Sequence, residues 1–177
     1  MKKILVIAGH PELERSIANK TILEELEKHY GSAIEIRRLC ELYPDYKIDI
    51  KAEQEALVRS DIIVFQYPVF WYNVPALLKK WMDDTFQQGF SHGSKGTALH
   101  GKKFLLSFTA GADEKVYKEI LAHDFPELVT PFMETAALCG MASAEPVNSH
   151  GAKNHPLMGS DVEGHRKTSL DHAKRPI

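Results

Sequence analysis

Three segments concentrate the residue types that do chemistry. The first is GHPELERSIANK, from Gly9 to Lys20. It places His10, Arg15, Ser16 and Asn19 around an expected helix start. A helix start offers unpaired N–H groups and the positive end of the peptide dipoles, so it suits a phosphate. Hydroxyl and amide side chains add neutral donors. The same residues also make an ordinary turn capped by Ser16. The second segment, YPVFWYNVP from Tyr67 to Pro75, carries the aromatics Tyr67, Phe70, Trp71 and Tyr72. Loops are normally polar, so this one packs a planar ligand, covers a subunit interface or fills space under a crossover. The third, TAGADEKVY from Thr109 to Tyr117, opens with a hydroxyl and small residues. Small residues let a ligand edge approach the backbone closely, or simply form a tight turn.

Other chemistries find no support. There are nine histidines but no HExxH and no paired His/Cys spacing, so no metal site is expected. His92, His100, His150 and His155 are expected in solvated loops. No G-x-S-x-G elbow follows a strand, and no Walker or G-x-G-x-x-G glycine pattern occurs.

The elements that position these loops alternate between strand and helix. Ile4 to Ala8 is apolar on both faces, as a central parallel strand is. A helix follows Ser16, with Ala18, Ile22, Leu23, Leu26 and Tyr30 on its apolar side, and Gly31 ends it. Ala33 to Leu39 alternates through Ile36, which predicts an edge strand. Ile50 to Arg59 predicts a helix with Ala52, Ala56 and Leu57 inward. Asp61 to Gln66 is a second buried strand. Pro75 opens a helix with Leu77, Leu78, Trp81, Met82 and Phe86 on one side. Lys103 to Phe108 is a third core strand, and Pro126 to Cys139 a further helix. Met141 to Val147 is the expected last strand, with a short helix around Asp161 to Lys174. This βαβαβαβαβ order predicts a five-stranded, doubly wound parallel sheet of the flavodoxin-like order 2-1-3-4-5, in one domain over residues 1–177. The three loops then meet at the carboxyl ends of strands 1, 3 and 4, where such sheets bind ligands.

Composition bounds the reading. The chain has 177 residues, 22 basic and 24 acidic side chains, and a formal charge of −2. An apolar share of 44% and a charged share of 26% are globular values. Near-neutrality gives no electrostatic footprint for nucleic acid. No apolar run approaches a membrane span. Cys40 and Cys139 stand far apart, which fits a reduced, cytoplasmic protein.

Four segments together resemble the NAD(P)H:quinone oxidoreductase family of flavodoxin-like flavoproteins. They are the start through GHPELERSIANK, LYPDYKIDIKAEQEAL from Leu42, FQYPVFWYNVPALLKKWMDDTF from Phe65 and GTALHGKKFLLSFTAG from Gly96. LYPDYKID is most similar to the branch of ancillary oxidoreductases of glutathione-gated potassium-efflux systems. The similarity covers about residues 1–145 and leaves the tail after Asn148 outside it.

The resemblance implies an FMN-dependent NAD(P)H dehydrogenase that reduces quinones by two-electron, ping-pong hydride transfer. It implies FMN rather than FAD, because the sequence that surrounds the FAD adenosine in the longer relatives has no counterpart here. It places His10, Ser16, Ile17, Ala18 and Asn19 at the phosphate. It places Tyr67, Pro68, Val69 and Phe70, with Thr109, Ala110, Gly111 and Ala112, around the isoalloxazine ring. Tyr117 and His123 match the pair that assists hydride transfer. Ala110 and Ala112 stand where the family has a Thr and a Gly, so one hydroxyl contact is lost. The family implies a homodimer. The branch implies a cytoplasmic protein able to dock on the inner face of the membrane, through a potassium-efflux transporter that it activates.

Overall fold

A computed structural model describes residues 2–112, 115, 117, 119, 125–151 and 162–175. The elements in chain order are β1 (Ile4–Ala8), α1 (Ile17–Tyr30), β2 (Ile34–Arg38), α2 (Leu39–Leu42), α3 (Ile50–Arg59), β3 (Ile62–Pro68), α4 (Ala76–Thr85), β4 (Lys103–Thr109), α5 (Phe125–Leu138), β5 (Ala142–Ser143), β6 (Val147–Ser149) and α6 (Val162–Ala173). The strands pair in the order β2-β1-β3-β4-β5, and β6 also pairs with β4. Every pairing is parallel, with Ile7 opposite Arg37 on one side and Phe65 on the other.

Strand alternation splits the core into two layers. Leu5, Ile7, Ile63, Phe65, Phe104 and Leu106 share one layer with Leu57 of α3, Trp81 of α4 and Phe132 of α5. Ile4, Val6, Ala8, Ile62, Val64 and Leu105 share the other with Leu23 of α1. β1 and β3 are buried along their whole length, while β2 is half-exposed throughout, as expected of an edge. Ser16 caps α1 by accepting from the Asn19 N–H, and Gly31 closes it at φ 51°. Gly9 admits no side chain, since a Cβ there would lie 2.8 Å from Leu78 Cδ2.

Two details differ from the sequence reading. The expected strand from Met141 to Val147 is two short pieces, both paired with β4. Pro146 has no N–H for the ladder, so pairing lapses between the pieces. The α3 helix buries Glu53 completely, while Ala52 is only half-buried. The Glu53 carboxylate accepts from Tyr43 Oη at 2.5 Å, Trp81 Nε1 at 2.8 Å, and Arg37 Nε at 3.0 Å and Nη2 at 2.5 Å. A polar residue on an apolar face is thereby satisfied and joins β2, α3 and α4. Among the described residues, no helix is long and apolar enough to cross a membrane.

Candidate cofactor site

A cleft of about 360 Å³ opens at the carboxyl ends of β1, β3 and β4. His10, Ser16, Asn19, Phe70, Thr109 and Gly111 are among its lining residues. Sequence reasoning assigned all six, and the fold brings them together from three loops.

One end of the cleft is built of hydrogen-bond donors. Ile17 and Ala18 begin α1, so their N–H groups have no acceptor inside the helix. The Ser16 hydroxyl accepts from Asn19 N at 3.1 Å and from Asn19 Nδ2 at 3.2 Å. Both lone pairs are then used, and the hydroxyl can only donate. His10 Nδ1 accepts from the Glu12 N–H at 3.0 Å. Burial lowers the His10 pKa, against the opposing pull of Glu12. The neutral ring therefore carries its hydrogen on Nε2. Such a set fits an acceptor-only group such as a phosphate, at the positive end of a helix.

Asn19 is the hub behind that end and is 2% exposed. Its Nδ2 also donates to Thr109 Oγ1 at 3.0 Å, and its Oδ1 accepts from Gln66 Nε2 at 2.9 Å. One amide thus ties α1 to β3 and β4.

The other end is apolar. Pro68, Val69 and Phe70 line it, and His10 meets Phe70 edge-on at 6.1 Å. The Tyr67 side chain turns away from the cleft. It is buried and stacks on Phe108 at 5.7 Å, and burial pushes its phenol well up. Val69 N donates to Thr109 O at 2.8 Å, and Ala110 N donates to Ser149 O at 2.8 Å. These backbone groups fasten the loops to each other, so the segment offers apolar surface beside the floor at Gly111. Nothing lies within 4 Å of a Cβ built on Gly111.

Phe70 and Asn73 exchange backbone hydrogen bonds at 2.9 and 3.0 Å. The two residues between them have positive φ, 50° at Trp71 and 63° at Tyr72. That is the backbone of a tight hairpin turn that normally selects Asn and Gly. Two aromatics there cost of order 1 kcal/mol each in backbone strain. The strain presents Trp71 to solvent, 93% exposed, with Tyr72 and Phe70 beside it. Tyr72→Gly is expected to raise stability by about 1 kcal/mol in urea unfolding, since Gly adopts this φ freely. A loss instead would mean that Tyr72 contacts outweigh the strain.

Tyr117 is half-buried, and its pKa is raised by burial, against an opposing hydrogen bond from the Ala112 backbone. His123 lies outside the described residues, as does His155. The ring beside Tyr117 is that of His150, at 6.0 Å and 64°. His150 and His92 are therefore packed rather than solvated. His92 Nδ1 lies 3.0 Å from Ser91 Oγ, and only His100 of the described loop histidines is exposed.

A family model described as flavodoxin-like fold matches residues 2–173. The chain belongs to that family. The match runs through the tail after Asn148, which sequence reading had left outside the resemblance. Among solved structures, this flavodoxin-like protein is similar to general stress protein 14 from Treponema denticola in complex with FMN. That likeness has 30% identity and a TM-score of 0.84, over 96% of this chain and 95% of the other. It is similar to a structure described as a thermophilic tryptophan halogenase from Streptomycin violaceusniger, at 34% identity and TM-score 0.83, over 98% and 99%. An NADPH-quinone reductase from P. pentosaceus matches at 24% identity and TM-score 0.77, over the full length of both chains. The three names carry different activities, so the likeness itself speaks for fold and family.

Sequence reasoning missed Gln66, Ser107 and His172, all buried within this flavodoxin-like architecture. Ser107 Oγ donates to Gln66 Oε1 at 2.5 Å and lies 2.8 Å from His172 Nε2. Gln66 and Ser107 carried a signal: a polar residue inside an otherwise apolar central strand needs a buried partner. His172 carried none, because α6 is polar enough to read as a surface helix.

Proposed function

We propose that this protein is an FMN-dependent NAD(P)H dehydrogenase that reduces quinones or related electrophiles by two-electron, ping-pong transfer. The observation that carries the reading is the cleft itself. Its donor end suits an acceptor-rich anion, and its apolar wall and bare floor suit a planar ring. The FMN complex of general stress protein 14, at 30% identity, supports the same cofactor.

Ser16, Ile17, Ala18 and His10 would hold the phosphate. Pro68, Val69, Phe70 and Gly111 would bound the ring, with Thr109 at its edge. Bound FMN would supply the hydride chemistry, accepting from NAD(P)H and passing to the quinone. The protein's own part is to orient, to exclude water and to place a proton. We assign that proton to Tyr117, a phenol protonated at neutral pH, whose ionisation burial makes harder still.

The test is to reconstitute the purified protein with FMN, record its visible spectrum, and follow NADH and NADPH oxidation with a benzoquinone. Absence of bound flavin would overturn the reading. Gly111→Leu is expected to fold with unchanged thermal stability, because its Cβ meets open space, yet to lose FMN binding at least ten-fold. Unchanged binding would move the ring off Gly111.

Two associations extend the proposal. We read the protein as a homodimer joined near Phe70, Trp71 and Tyr72, because large exposed aromatics held at a cost in strain favour an interface. A stable monomer by light scattering that still binds FMN would refute this. The second reading is a regulatory subunit of a glutathione-gated potassium-efflux transporter at the cytoplasmic membrane face. It is favoured by the LYPDYKID segment, whose Tyr43 is buried while Leu42 and Tyr46 are exposed, Tyr46 at φ 62°. Unchanged potassium efflux after deletion would count against it.

A further inference from the structure

Six side chains at and behind the donor end form one directed network. His172 Nε2 lies 2.8 Å from Ser107 Oγ, and Ser107 donates to Gln66 Oε1 at 2.5 Å. Gln66 Nε2 donates to Asn19 Oδ1 at 2.9 Å. Asn19 Nδ2 spends one hydrogen on Ser16 Oγ at 3.2 Å and the other on Thr109 Oγ1 at 3.0 Å. Every member is at most 6% exposed, so water cannot substitute for a missing partner. The Ser107 hydrogen is committed to Gln66, so its oxygen must accept, and His172 must hold its hydrogen on Nε2. All donors then point the same way, from α6 toward the cleft.

Direction has a consequence at the last link. With the chain running this way, the Ser16 hydrogen has no acceptor among the described residues and is free to face the cleft that Ser16 lines. Were the chain reversed, Asn19 Oδ1 would face Ser16 and draw that hydrogen inward. Reversal would require His172 to carry its hydrogen on Nδ1. That atom is buried and has no hydrogen-bond partner among the described residues. The Arg175 guanidinium also acts on this ring and disfavours its charged form, so the ring carries a single hydrogen.

We propose that His172, on the C-terminal helix, is a positioning residue for the anion end of the cleft: through Ser107, Gln66 and Asn19 it fixes the direction of the chain and aims the Ser16 hydroxyl hydrogen at the bound phosphate. The proposal rests on the FMN reading. It assigns α6 a part in cofactor choice although the helix packs along α1 and β6 and lines no part of the cleft among the described residues.

The test compares FMN with riboflavin, which lacks the phosphate, by quenching of flavin fluorescence. His172→Leu removes the donor. Ser107→Ala breaks the next link by a smaller change. His172→Gln keeps an N–H at similar reach. Both disrupting variants are expected to bind FMN about ten-fold more weakly, with riboflavin affinity within about two-fold of the unmodified protein. His172→Gln is expected to retain the FMN preference. A variant that merely loosened the fold would weaken both flavins alike, and that result overturns the proposal, as does unchanged FMN binding in Ser107→Ala. If the unmodified protein binds neither flavin, the cofactor reading itself fails and this one falls with it.

Discussion

Glu53→Gln is expected to cost about 3 kcal/mol of folding stability, and Glu53→Leu more, in urea unfolding at neutral pH. The carboxylate is fully buried and takes four hydrogen bonds from Arg37, Tyr43 and Trp81. Both oxygens are occupied, Oε1 by Arg37 and Tyr43 and Oε2 by Trp81. An amide keeps one oxygen and turns an NH₂ toward groups that are themselves donors. It also takes from the Arg37 guanidinium, 21% exposed, the nearer of its two carboxylate partners and leaves it only Glu35 at 3.6 Å. Burial opposes the Arg37 charge, and the Glu53 carboxylate more than restores it, so the net pKa is raised. Removing one partner of a half-buried pair loses both the attraction and the desolvation already spent. For a domain whose whole stability is about 5–15 kcal/mol, that is a large fraction. Tyr43→Phe and Trp81→Phe each remove one donor and are expected to cost about 1 kcal/mol. A Glu53→Gln protein within 1 kcal/mol of the unmodified one would show that the cluster is not held by charge.

The Tyr43 phenol tests the same cluster from the alkaline side. Burial first, then Glu53, pushes its pKa from 10.0 to about 12. Between those values the unfolded chain gives up the proton and the folded one keeps it. Stability is therefore complete below pH 10 and falls as pH rises toward 12.

What could be read from sequence follows from how local each signal is. The apolar runs of β1, β3 and β4 announce central strands because both faces are buried, and the alternation in β2 announces an edge because one is not. Ser16 announces a helix start because its hydroxyl bonds only three residues on. These signals placed the three loops around one cleft. Glu53 was illegible because acids on amphipathic helices normally face water, and its donors lie 10, 16 and 28 residues away. His172 lies 65 residues from Ser107. The turn at Trp71 and Tyr72 was hidden for the opposite reason: its residue types argue against the backbone they adopt.

Acid should expose His172. Burial, and secondarily Arg175, lowers its pKa from 6.5 to about 4. Above pH 6.5 the ring is neutral in both folded and unfolded chains and adds no pH dependence. Between 6.5 and about 4 the unfolded chain takes up a proton that the folded ring refuses. Stability therefore falls as pH falls through that window, by up to about 3 kcal/mol at about 1.4 kcal/mol per unit. His10, also lowered by burial, contributes in the same direction, so the measurement must be a difference. His29 and Glu25 border α6 near Ala173 and Lys174, and Asp171 pairs with Lys174 at 3.4 Å, but these groups are common to both proteins compared. His172→Gln removes only the titrating ring, and its stability is expected to decline less steeply from pH 6.5 to 4 than that of the unmodified protein. Parallel curves would show that the ring is not held neutral. The physical reason for the refusal is the one that directs the hydrogen-bond chain. A second hydrogen on this imidazole would sit on Nδ1, buried and facing no acceptor among the described residues.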